Sequence, residues 1–113
     1  MERPAWVTNE QKWTTHCRKI RARSRDLLDG RLGVIEAARE LSKLGFWLRA
    51  QNDPDFTTFV AIDSESDHLP VGGVRREWAP DALQRKDAEI RIVEERWRDE
   101  ALNAARNLLE KYA

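Results

Sequence analysis

The densest run of side chains able to do chemistry is Asp63-Ser64-Glu65-Ser66-Asp67-His68. Carboxylates at every second position can ligate a hard cation, and these three imitate the opening of a calcium loop. The imitation fails where such a loop is most demanding. His68 stands in place of the sharp-turn glycine and Val74 in place of the bidentate glutamate. The sequence therefore implies no metal ligand and no cofactor. Charge is what remains: Asp53, Asp55, Asp63, Glu65 and Asp67 fall between Ala50 and Gly72, a stretch without Lys or Arg. It is either a solvated, turn-forming loop or an acidic recognition surface for a protein partner with a basic surface. On the second reading the five carboxylates supply the field, and Phe56, His68 or an exposed tryptophan supplies the packing anchor.

Other reactive groups are sparse. His16 and Cys17 are adjacent, so on a helix they point about 100° apart and form no nucleophile and base pair by themselves. His68 is the only other histidine, and nothing in the sequence brings it to Cys17. A single cysteine allows no intramolecular disulfide and no four-cysteine zinc site. Cys17 falls on an apolar stripe, where a buried, inert thiol is expected. There is no glycine-rich phosphate cradle, no helical histidine pair around a glutamate and no serine elbow, so no catalytic residue is assigned.

A second constellation is basic. Arg18, Lys19, Arg21, Arg23 and Arg25 could track a phosphate backbone, which makes nucleic-acid binding the alternative function. Against it stand the chain's zero net charge and the lack of aromatic interleaving in this stretch, so a solvated helix face is the simpler expectation. Residues 1–49 carry eleven basic and six acidic side chains, whereas residues 73–113 carry nine of each. Positive and negative excess are thus separated along the chain.

The elements that must position these groups are helical. A first helix is expected from about Asn9 to Leu28, since Trp13, Cys17, Ile20, Ser24 and Leu27 recur at helical spacing and Gly30 follows. A second is expected from about Gly33 to Ala50, with Val34, Ala37, Ala38, Leu41, Leu44 and Leu48 on one side. Gly45 weakens it unless a close packing contact requires glycine there. The third should run from Asp81 to Lys111 after Pro80, with a stripe of Leu83, Ile90, Val93, Trp97, Ala101, Ala104, Leu108 and Tyr112. That stripe suits the core of a monomer or one half of a homodimer equally well. Residues 51–80 are expected to be mostly irregular, with a short helix at Asp55–Val60 somewhat favoured over a strand.

The chain has 113 residues, 41% hydrophobic and 35% charged, which fits one small domain with a thin core. Its five tryptophans, Trp6, Trp13, Trp47, Trp78 and Trp97, are core candidates first, and any left exposed would mark a contact surface. No stretch approaches the roughly 18 apolar residues of a membrane span, and the beginning of the chain lacks a basic region followed by an apolar run, so the expected setting is cytoplasmic.

The stretches LGVIEAARELSKL, DPDFTTFVAIDSESDHLPVGGVRREW and DALQRKDAEI resemble a family of small bacterial proteins of unknown function, over roughly residues 32–90. The resemblance implies a bacterial origin and no activity. The expectation is an all-α domain, a helical hairpin packed on a long C-terminal helix. Its expected function is non-enzymatic binding of a macromolecule, with inhibition of a basic toxin or nuclease by the acidic segment, as immunity proteins do, as the concrete case.

Overall fold

A computed structural model describes residues 2–50 and 52–113 and is all-α. Helix α1 spans Glu10–Leu28. The Asn9 side chain opens it by accepting the Lys12 N–H at 2.9 Å, which satisfies one of the orphan donors of the first turn. Its buried residues are Trp13, Cys17, Ile20, Ser24 and Leu27, the stripe anticipated from spacing. The helix ends on Gly30 in the left-handed region, with the Gly30 and Arg31 amides donating back to the carbonyls of Leu27 and Asp26.

Helix α2, Val34–Trp47, is shorter than its expected extent to Ala50. It stops because Arg49 turns left-handed, φ 54°, and the amides of Arg49 and Ala50 close back on Phe46 and Gly45. No side chain of its own caps its start. Instead Glu94 reaches across, and its Oε2 accepts the Ile35 N–H at 3.1 Å. The absent side chain of Gly33 permits this, since a Cβ there would lie 2.7 Å from that oxygen.

The middle segment is the main correction. A helix, α3, covers Pro54–Ser66, thirteen residues where a shorter helix and irregular chain were expected. Asp53 caps it by accepting the Asp55 N–H, Pro54 fits the first turn, and Phe56, Phe59 and Ile62 are fully buried. A 3-10 segment, Gly72–Glu77, then leads to α4, Pro80–Lys111.

Pairs of touching residues give the helix directions. Arg23 meets Glu40, and His16 meets Trp47, so α1 and α2 are antiparallel. Ser42 meets Asp63, and Gly45 meets Phe56, so α2 and α3 are antiparallel as well. Lys111 reaches the start of α3, whereas Arg96 and Trp97 reach its end. The result is an up-down-up-down four-helix bundle in place of a three-helix arrangement. The core joins Ile20, Ile35, Leu41, Phe59, Ile62 and Leu108 with small Ala37, Ala38, Ala101 and Ala105 that let the axes approach. Much of the α4 stripe is thereby buried within the chain. Between Pro80 and Ile92, however, α4 buries no side chain fully, and the Arg75 fork on Asp87 fastens the 3-10 segment alongside it.

Candidate functional site

The five carboxylates of the middle segment are brought onto and around α3, and four of them meet counter-charges from other helices. Asp53 accepts from Lys111 Nζ at 2.9 Å, and Asp55, only 8% exposed, accepts from Lys111 at 2.7 Å and from Asn107 at 3.0 Å. Burial works against the Lys111 charge, but its hydrogen bonds to Asp55 and Asp53 outweigh that and raise its pKa above the usual lysine value. Asp63 lies 3.7 Å from Arg39 and accepts from Ser42. Arg39 also donates to the carbonyls of Ser66 and Leu69, so one guanidinium satisfies the open end of α3. Glu65 accepts from Arg96 and from the Trp97 indole N–H.

Asp67 alone of the five projects outward, its side chain 79% exposed. His68 stands beside it, 3.4 Å from Glu89. Phe56 is 1% exposed and packs against Gly45 and Tyr112, so it is a core residue and offers no anchor to a partner. The negative excess read along the chain is therefore largely neutralised in space.

The basic constellation has the opposite fate. Arg18, Lys19 and Arg25 are exposed, and among the described residues none of them forms an ion pair or a hydrogen bond with another side chain. Arg21 is used structurally, donating to the Tyr112 carbonyl at 2.6 Å near the end of α4. Arg23 pairs with Asp26 at 3.0 Å and, more distantly, with Glu40. Arg18, Arg21 and Arg25 line one shallow depression on α1, whereas Lys19 and Arg23 share another with Lys43 and Glu40 of α2.

The aromatic component missing from the linear stretch is supplied in three dimensions. At the end of α2, the Trp47 ring stacks on His16 with centroids 4.1 Å apart, and Lys12 lies over the same ring at 5.8 Å. Trp6 is tilted against Trp47 at 6.0 Å, with the Arg49 guanidinium 4.3 Å above its own ring. Trp6 is 38% exposed and Phe46 55% exposed. Of the five tryptophans Trp13 is buried, Trp47, Trp78 and Trp97 are half-buried, and the expectation of core positions fails most clearly at Trp6. Its exposure was the signal that separates contact surface from core, and it became visible only with the fold.

Cys17 is buried, and that burial raises its thiol pKa despite the nearby Arg21. Among the described residues no three His, Cys, Asp or Glu side chains converge on a point that could hold a metal ion, and no helix is long and apolar enough to cross a membrane. No family model, curated protein or solved structure matches this chain.

Proposed function

We propose that this protein is a macromolecule-binding protein rather than an enzyme, and that it holds nucleic acid on the cationic side of α1 and α2. The reading is carried by one observation. The carboxylates of the middle segment are engaged with Arg39, Arg96 and Lys111, and Glu40 and Asp26 on this side lie against Arg23, which leaves Lys12, Arg18, Lys19, Arg25 and Lys43 without carboxylate partners among the described residues. Closely spaced cations without counter-charge gain most from a polyanion, because each phosphate contact releases condensed counterions.

Binding of a labelled oligonucleotide at low ionic strength tests the reading. Affinity should fall steeply with salt, and Lys19→Gln, Arg25→Gln and Lys43→Gln should each reduce the salt slope by about one. Absence of binding at low salt would remove it.

A second reading, capture of a basic protein by the acidic segment as in an immunity protein, draws its support from Asp67 and the neighbouring Glu89 and His68. It predicts that Asp67→Asn slows association with such a partner and weakens its salt dependence. Unaltered kinetics would set it aside.

A further inference from the structure

Two helices of this bundle close with the same pattern of amide donors, yet they place different residues at the left-handed position. After α1 it is Gly30, φ 77°, and after α2 it is Arg49, φ 54°. A side chain in that region meets a steric penalty that glycine escapes, and retained strain of this kind clusters at functional positions. At Arg49 the strained backbone sets a guanidinium over the ring of Trp6. Trp6 is itself held outward by a turn in which the Val7 amide donates to the Pro4 carbonyl at 3.0 Å, with Val7 buried beneath it as the anchor.

The cluster is continuous with the cationic side of the bundle. Lys12, His16, Lys19 and Arg23 recur at steps of four, three and four, one edge of α1 that runs about 16 Å along the helix. Lys12 and Lys19 are its cations without a carboxylate partner among the described residues, and the edge leads directly to the exposed aromatics. Flat rings beside a cationic track suit unpaired bases, since every base has a face to stack and every linkage a phosphate to neutralise. Bases within a duplex are already stacked on one another and offer only their edges.

Resting on the nucleic-acid reading above, we propose that Trp6, Lys12, His16, Trp47 and Arg49 form a single-strand recognition site. A base stacks on the exposed part of the Trp6 indole, and Lys12 and Arg49 hold the flanking phosphates. His16 and Trp47 back the platform by their own stacking.

The test compares an oligothymidylate of about ten nucleotides with a duplex of equal length, followed by anisotropy and tryptophan quenching. The single strand should bind about tenfold more tightly and quench the indole emission. Trp6→Ala should lower single-strand affinity about tenfold and leave duplex affinity unchanged. Arg49→Gly keeps the helix end in an unstrained form, so it decides the matter even if Trp6→Ala folds poorly, and it should weaken the single strand more than the duplex. Lys43→Gln, a loss of charge away from the platform, should weaken both equally. Equal binding of the two forms, with the single strand indifferent to Trp6→Ala and Arg49→Gly, would overturn the single-strand site while leaving nucleic-acid binding intact. No binding of either form would remove both.

Discussion

Glycine in the last turn of α2 weakens that helix by up to about 1 kcal/mol relative to alanine, so Gly45→Ala would ordinarily stabilise the protein. The packing of α2 on α3 reverses the expectation. An added Cβ would lie 2.6 Å from Phe56 Cδ1, 2.8 Å from Cγ and 3.1 Å from Cβ, all inside the normal contact distance between carbons. The ring is 1% exposed and cannot swing aside, so the helices themselves would have to separate. Overpacking of this kind costs about 1–3 kcal/mol, and the involvement of three atoms up to the Cβ argues for the upper part of that range. Gly45→Ala should therefore destabilise by about 1–2 kcal/mol once the propensity gain is subtracted. Phe56→Ala alone should cost about 3–5 kcal/mol. In that background the two closest contacts disappear and only the 3.1 Å approach to the retained Cβ is left, so Gly45→Ala should now be neutral or stabilise by less than about 1 kcal/mol. Urea unfolding of the four proteins gives the cycle directly. A stabilising Gly45→Ala in the parent, or single effects that add within about 0.5 kcal/mol, would refute the claim that glycine is there for Phe56.

Other perturbations probe different groups. The Tyr112 phenol is pushed up to about 12 from 10.0, first by burial and then by the charge of Asp53. The folded state favours its neutral form, so this contribution is intact below pH 10 and is lost as pH rises toward 12 and beyond. Lys111 is raised too and acts in the same alkaline direction, so in pH-dependent unfolding Tyr112→Phe should flatten the loss of stability above pH 10 without abolishing it. An unchanged slope would contradict the assignment. Ser24 is fully buried and its hydroxyl has no hydrogen-bond partner among the described residues, so Ser24→Ala should raise stability by about 1 kcal/mol, and a lower thermal midpoint would show that the hydroxyl is satisfied. Cys17 should react with a thiol reagent only slowly in the native fold and fast in urea, whereas equal rates would contradict its burial.

Periodicity made α1 legible almost residue for residue, because its stripe is apolar except at Ser24 and lies between an asparagine cap and a glycine. α3 was harder to read. Its apolar stripe is only Phe56, Phe59 and Ile62, and the β-branched residues among them compete for a strand, so its length depends on contacts with α2 and α4. Charge was misleading for a related reason. The partners of Asp53, Asp63 and Glu65 are Lys111, Arg39 and Arg96, remote in sequence, and a count along the chain treats such carboxylates as unopposed. The aromatic cluster was hidden similarly, since Trp6, His16 and Trp47 come from three separate segments. Nothing in their spacing could have joined them.

The grip of α4 on both ends of α3 has a consequence for how the bundle breathes. Lys111 secures the first turn of α3, and Arg96 with Trp97 secures its last, so detaching α4 would leave Asp53, Asp55 and Glu65 without their α4 partners in one step. α3 then keeps only its packing on α2, and its thirteen residues fall in the range of roughly 12–15 where an isolated helix is marginal, so it leans wholly on that one neighbour. Amide protons of α3 and of the second half of α4 should exchange with solvent as one cooperative unit, and an opening that frees α3 should occur only with α4.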